Sequence, residues 1–337
     1  MKRVIVTGSA GFIGFHLCKE LLDKGFNVLG VDDFTDYYDV NLKHDRNQQL
    51  KSSNQFTLLK MNIEDEDFIS RSTEYSPDYI IHLAAQAGVR YSLENPRTYI
   101  NTNINGTFNV MEASRISNVK HLLMASTSSV YGANTQMPFT EKTLTDYPLT
   151  IYAASKKANE SLAHSYSHLW RIPTTMFRFF TVYGPWGRPD LALFKFVDLM
   201  LKEKPIDIYN DGKMYRDFTY VDDLVRSIFL LISCCPTFPE DKITHKVEND
   251  NISNVAPFRI VNIGNSNKVN LLDFIEAIEN ELSIKAIRNY LPIQKGDVPA
   301  TWADASLLKN LTGFQPNTDI EYGISKFIEW FRDYYEV

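Results

Sequence analysis

The chain opens on KRVIVT and runs at once into TGSAGFIG, and this pairing restricts the fold more than any other feature. Lys2 to Thr7 is an apolar, β-rich run without alternation, the pattern of a strand buried on both faces of a parallel sheet. Gly8, Gly11 and Gly14 then stand where that strand turns into a helix from about Gly11 to Lys24, ended by Gly25. Parallel neighbours cannot be joined by hairpins, so strands and helices must alternate downstream. They do. NVLGVDD, YIIHLAA, HLLMASTS and PTTMFRFF read as buried strands, with helices at about Thr98–Ser114 and Tyr152–His168. The expected fold is α/β, a Rossmann-type doubly wound parallel sheet.

Beyond about Thr181 the character changes. Prolines at 185, 189 and 205, a short strand in IDIYN, and helices near 271–282 and 321–334 predict a smaller C-terminal substrate-binding lobe. The expected division is 1–180 for the dinucleotide-binding domain, to which the chain returns around 206–232 and 258–264. Residues 181–337 then form mainly the second lobe, with Pro236–Pro257, polar and turn-rich, as an exposed loop. At 337 residues and 44% hydrophobic content the chain can bury a core large enough for two lobes. A net charge of −6 without a long basic run argues against non-specific nucleic-acid binding, yet leaves room for an anionic small molecule held by a few arginines. Cys18, Cys234 and Cys235 have neither disulfide nor metal spacing, so no metal is expected. The first residues enter a strand without a signal peptide, and SIFLLISCC is too short to cross a bilayer. The expectation is a cytoplasmic soluble protein.

Each glycine of the Gly-x-x-Gly-x-x-Gly run has a physical task. Gly8 permits the tight turn, Gly11 lets backbone approach a pyrophosphate, and Gly14 lets helix and strand pack closely. The unpaired N–H groups of the helix start then face the phosphates. Asp32 ends the second strand, 18 residues beyond Gly14, where a carboxylate accepts from an adenosine ribose. With Asp33 it repels a 2′-phosphate, so NAD is favoured over NADP. Asn62 and Ile63 follow the next short strand and are candidates to meet the adenine. Tyr152 and Lys156 in YAASK lie one helical turn apart on one face. A free phenol titrates near pH ~10; a neighbouring ammonium and the positive ring of an oxidised nicotinamide favour the phenolate and make it a usable base.

On TGSAGFIG, DYYDVNLK, HLAAQAGVRYSLENPRTYI, ASTSSVYGAN, YAASKKANE, RFFTVYGPWGRPDLALFKF, MYRDFTYVDD and GDVPATWAD the chain resembles the extended short-chain dehydrogenase/reductase family, specifically its UDP-glucuronate 4-epimerase branch, over nearly its whole length. The resemblance implies that Tyr152 is the acid/base, that Lys156 holds the nicotinamide ribose and tunes Tyr152, and that Thr127 is the hydroxyl partner, with Ser128 the alternative. It implies cofactor contacts from Phe12, Ile13, Leu83, Ala84, Ala85, Gln86 and Thr102. Arg188 is the candidate clamp for a sugar carboxylate, its planar guanidinium matching the group in bidentate fashion, with hydrogen bonds from Thr181, Ser128 and Ser129. Arg216 and Arg90 are candidates for the two phosphates, Asp297 for the uridine ribose, and Phe194 and Lys195 for the nucleotide pocket. Small residues on the 98–114 and 152–168 helices match a four-helix homodimer interface.

One difference within the family is informative. Related 4,6-dehydratases look like Thr-Asp-Glu at 127–129, and related UDP-glucuronate decarboxylases like Thr-Ser-Glu, whereas this chain has Thr127, Ser128 and Ser129. Without a carboxyl group there, oxidation and re-reduction at C4 is the chemistry best supported. Gln294 stands where many UDP-galactose 4-epimerases have arginine, which agrees with a changed pocket. The competing readings are a UDP-glucuronate decarboxylase, a 4-epimerase of UDP-glucose or UDP-N-acetylglucosamine, and an NAD-binding sensor without turnover.

Overall fold

Seven strands, all parallel, form the central sheet of the computed structural model, which describes residues 2–237 and 247–337. They are β1 (Arg3–Thr7), β2 (Asn27–Asp32), β3 (Phe56–Lys60), β4 (Tyr79–His82), β5 (His121–Thr127), β6 (Thr174–Phe179) and, after an excursion, β10 (Phe258–Ile263). The excursion carries β7 (Thr181–Tyr183), β8 (Ile206–Tyr209) and β9 (Tyr215–Tyr220). The spatial order is β10-β6-β5-β4-β1-β2-β3. Strand order reverses between β1 and β4, and such a switch point leaves a crevice at the carboxyl ends of the strands. Central-strand residues are buried without alternation, all seven of them in β5. This is what coverage of both sheet faces by helices demands.

The first helices are α1 (Phe12–Asp23), α2 (Val40–Leu50) and α3 (Asp67–Tyr75), followed by two short ones, α4 (Tyr91–Glu94) and α5 (Pro96–Thr98). The expected helix over 98–114 is instead a π-helix, Tyr99–Gly106, leading into α6 (Thr107–Ile116). Long-range contacts account for the widened turns. Asn103 is fully buried and exchanges hydrogen bonds with the backbone of Gln86. A Cβ at Gly106 would meet the Ile63 side chain at 2.7 Å. Next come α7 (Ile151–Trp170), capped by the Thr150 hydroxyl, which accepts from the Ala153 N–H, then α8 (Ala192–Leu201) and α9 (Val221–Leu231).

The remaining elements are β11 (Lys268–Asn270), α10 (Leu271–Leu282), β12 (Arg288–Leu291), β13 (Ala300–Thr301), α11 (Ser306–Thr312) and α12 (Ile320–Tyr335). A four-stranded sheet joins β11, β9 and β13, with β7 beside β9. Ile206–Tyr209 does not return to the central sheet; it pairs with β12 in a two-stranded sheet. By contrast α9 packs into the same core as α1, and β10 joins the sheet beside β6. A separate apolar core gathers α8, α10 and α12 around Phe218 and Phe274, whose rings stack at 4.2 Å. Of the expected loop 236–257, residues 238–246 lie outside the described residues; in its last part Asp250 pairs with Arg259 of β10. Among the described residues no helix is long and apolar enough to cross a membrane, and no cluster of three or more His, Cys, Asp or Glu could hold a metal ion.

Candidate active site

The crevice at the β1/β4 switch point is one continuous cavity of about 630 Å³, reaching from the glycine loop to β9 and the segment before β13. At its floor Gly8 has φ +74°, and a Cβ there would meet the Ala84 nitrogen at 2.9 Å. A Cβ on Gly14 would collide with the Gly8 carbonyl. Only glycine lets this turn close. Helix α1 starts at Phe12 with no side-chain cap on Gly11, so its first-turn N–H groups stand ready for an anion. These features fit a dinucleotide diphosphate: a cradle that any side chain would fill, lined by Gly8, Gly11, Phe12, Ile13 and Gly14.

Asp32 and Asp33 line the adjoining part of the cavity. The Asp32 carboxylate accepts from the Ala10 N–H at 3.0 Å and the Phe34 N–H at 2.9 Å, so it also clamps the glycine loop to the end of β2. Burial raises its pKa, against the opposing charge of Lys43. Asn62 and Ile63 follow β3 and border the cavity, as do Leu83, Ala84, Ala85 and Gln86 after β4. Thr102, on the π-helix, lines it too and donates to Glu64 at 2.6 Å.

At the far end of β5 the acid–base groups meet. Thr127, Ser128, Ser129, Tyr152 and Lys156 all line the cavity. The Thr127 hydroxyl accepts from the Ser129 N–H at 3.2 Å and interacts with the Tyr152 phenol. Burial raises the Tyr152 pKa; the Thr127 hydrogen bond and the Arg188 charge oppose it. Lys156 stands one turn further along α7. Its Nζ donates to the Ala125 carbonyl at 2.9 Å, and burial lowers its own pKa to about 8. The residue is 2% exposed, too dry a place to hold an ammonium cheaply.

On the opposite side Thr181, Arg188, Arg216 and Asp297 reach the cavity. Arg188 is already engaged: its Nε and Nη2 donate to the two Asp190 oxygens at 2.9 and 2.8 Å. Burial works against its charge, and Asp190 more than offsets this, keeping the guanidinium protonated. The bidentate edge expected to grip a sugar carboxylate is thus taken by Asp190, leaving Nη1 toward other acceptors. Arg216 has its pKa lowered by burial, with Asp297 opposing and Arg90 adding to the effect. Arg90 stands outside the cavity lining, paired with Asp297 at 3.2 Å and stacked on Tyr209. Phe194 and Lys195 do not line the cavity. Phe194 is packed among Phe327, Phe331 and Tyr335, Lys195 is exposed, and the neighbour that faces inward is Leu191. Gln294 contributes a backbone carbonyl that accepts from the Asp297 N–H at 3.1 Å.

Two lining residues fall within DYYDVNLK, a motif the sequence marked without assigning either of them a role. Lys43 of α2 is 6% exposed, donates to Thr35 at 2.8 Å and has its pKa lowered by burial. Tyr37 lines the cavity beside Gly88, its hydroxyl 3.5 Å from Asp190. Both come from a polar segment whose burial depends on distant elements.

The sequence profile of the NAD dependent epimerase/dehydratase family matches residues 4–241. A probable UDP-glucuronate 4-epimerase of Rhizobium meliloti is 51% identical, covering 99% of this chain and 98% of that one. Protein CapI of Staphylococcus aureus is 49% identical over 99% of each chain. Among solved structures, UDP-glucuronic acid 4-epimerase from Bacillus cereus, in complex with UDP-glucuronic acid and NAD, superimposes with a TM-score of 0.88 at 32% identity, covering 99% of this chain and 100% of that one. A glycine cradle at the switch point and a Tyr–Lys pair at the end of β5, together with these likenesses, lead to one assignment: the chain belongs to the NAD dependent epimerase/dehydratase family.

Proposed function

We propose that the protein interconverts the C4 epimers of UDP-glucuronate and UDP-galacturonate through a transient 4-keto sugar, with NAD as a recycled cofactor. The observation that carries this reading is the far wall of the cavity. A phenol and a threonine hydroxyl stand together, flanked by Ser128, Ser129, Thr181 and Arg188, with no carboxylate at 128 or 129. The relatives named above support the same substrate.

When bound, the dinucleotide supplies a hydride acceptor and later returns the hydride; its first-turn cradle and Asp32 hold it. The chain's own residues handle protons and position. Tyr152, ionised once a cation lies beside it, takes the C4 hydroxyl proton directly or through Thr127. Lys156 contributes a positive charge and hydrogen bonds at that end. Arg216, with Arg90 and Asp297 beside it, holds the UDP portion while the hexose turns to present its other face. Returning the proton from Tyr152 completes inversion.

A uronic acid adds a hazard, because its 4-keto form is a β-keto acid. Carbon dioxide leaves when the C5–carboxylate bond aligns with the carbonyl π system. Hydrogen bonds from Ser128, Ser129 and Thr181 and the free edge of Arg188 hold the carboxylate out of that alignment. With serine at 129, the site lacks the carboxyl group that the resembling decarboxylases carry there.

Two lobes follow from this reading. One is built on residues 2–180 with α9 and β10, and the other binds the UDP-sugar. A second copy completes the assembly. Ile151, Leu162 and Leu169 share one face of α7, and Phe108 and Ile116 of α6 are exposed large apolar residues. We assign this surface to a homodimer built on a four-helix bundle. A cytoplasmic setting supplies both NAD and UDP-sugars.

Proton NMR of the purified protein with UDP-glucuronate tests the proposal. Galacturonate signals without added reductant or oxidant are expected. A pentose product indicates the decarboxylase, and no change with UDP-glucuronate rejects the reading.

A further inference from the structure

Arg46 is the most unusual charged group outside the reacting centre. It sits on α2 with no exposed surface, and every hydrogen bond it makes goes to a neutral acceptor. Nη1 donates to the Ala10 carbonyl at 2.9 Å and the Tyr38 hydroxyl at 2.8 Å. Nη2 donates to the Trp186 carbonyl at 2.7 Å and approaches that of Gly187 at 3.5 Å. Nε is buried without a partner. A dry guanidinium that meets only dipoles is costly to keep and must be held by geometry.

Its backbone acceptors belong to two different loops. Ala10 lies within the glycine loop, between Gly8 and Gly11. Trp186 and Gly187 lie in GPWGRPD, immediately before Arg188. The preceding carbonyl, Pro185, is held at 2.9 Å by Nε2 of His16, on α1, the helix that the glycine loop opens. Three consecutive carbonyls of the substrate-side loop are therefore pinned by two side chains of the dinucleotide half. Trp186 also has φ +59°, the left-handed region, which a bulky residue adopts only when its surroundings over-determine it. Contacts to Phe15, Trp330 and Tyr334 fix its ring, and Arg46 fixes its carbonyl.

We propose that Arg46 is a positioning residue that couples dinucleotide occupancy of the glycine loop to the order of the 184–190 loop, and through it to the placement of Arg188. An anion on the α1 terminus orders Ala10 and supplies the negative charge that the buried guanidinium lacks. Arg46 is thereby held on its other acceptors, Trp186 and Gly187. Tyr38, whose ring lies 5.7 Å from the guanidinium, closes the cage. The inference rests on the glycine loop being the dinucleotide site and not on the identity of the sugar or on turnover.

Hydrogen–deuterium exchange of the full-length protein, stripped of dinucleotide or saturated with NAD, reads the coupling without turnover. The reporters are the amides of Gly184, Trp186, Gly187, Arg188 and Asp190, since Pro185 and Pro189 have none. In the native protein NAD is expected to slow them by about tenfold, within the usual range of site-to-site coupling. Arg46→Lys keeps the charge on a single head that cannot span both loops, and Arg46→Met removes it. Both are expected to bind NAD, checked by calorimetry, while losing most of the loop's response. Should the guanidinium variants not fold, His16→Ala frees the Pro185 carbonyl alone and is expected to lose part of it. A native loop indifferent to NAD overturns the proposal. So do variants that bind NAD and keep the full protection, even if they melt at a lower temperature.

Discussion

Tyr152 and Lys156 have environments that oppose their charged forms, and the consequences differ for stability and for chemistry. Burial raises the phenol's pKa and lowers that of the amine to about 8. The phenolate is thus disfavoured by burial, and the positive ring of the oxidised cofactor would favour it. Replacing Tyr152 by Phe removes the proton acceptor and should cut turnover by roughly 10²–10⁴, with an unchanged circular dichroism spectrum. Lys156 has a lower pKa folded than its unfolded 10.5, so between about pH 8 and 10.5 the unfolded chain binds more protons and stability rises with pH. Below pH 8 the penalty is at its full size, on the order of 3 kcal/mol. Lys156→Met should therefore raise the melting temperature of the dinucleotide-free protein near neutral pH while abolishing turnover. A lower melting temperature would show that the Ala125 hydrogen bond outweighs the buried charge.

At the level of elements, α7 is fastened to the sheet by a stripe of three side chains one turn apart. Tyr152 meets Thr127, Lys156 meets the Ala125 carbonyl, and Glu160 accepts from Ser126 at 2.6 Å. Glu160 also takes a two-pronged contact from Arg178 of β6 at 2.9 and 2.8 Å, with both residues 3% exposed or less. Removing one partner strands the other in a dry interior. Glu160→Ala should cost about 3–5 kcal/mol in chemical denaturation, whereas the Glu160→Met/Arg178→Met pair should cost much less. Equal losses would mean the ion pair itself supplies the stability.

This scale also shows what a linear reading reaches. The sheet was legible because burial on both faces leaves unbroken apolar runs, and the glycines and YAASK because their spacing is local. The widened turns at 99–106 were not, since Asn103 and Gly106 are constrained by Gln86 and Ile63, far away in sequence. Helix α2 was missed because LKHDRNQQL looks like a solvated surface, yet Lys43, Arg46 and Asn47 are buried by packing that no local pattern encodes. Phe194 was misplaced for a related reason: α8 turns that side chain toward α12 rather than toward the cavity.

Across the whole molecule, one cavity runs from the glycine loop to β9, and Arg46 and His16 on the glycine-loop side hold the carbonyls of the 184–190 loop. The face of α6 and α7 exposes large apolar residues, with Phe108 46% exposed and Leu169 63%. The proposed homodimer predicts that the native protein sediments as a dimer and a Phe108→Glu/Leu169→Glu variant as a monomer; a dimer unchanged by the substitutions would place the interface elsewhere.

The claim on which the rest depends is that a hydrogen leaves sugar C4 as hydride and comes back to the same carbon. UDP-glucuronate labelled with deuterium at C4, incubated with the protein in ordinary water and followed by mass spectrometry and NMR, tests it directly. The account predicts UDP-galacturonate that keeps its deuterium at C4. Epimer formed with the label lost to solvent would contradict it.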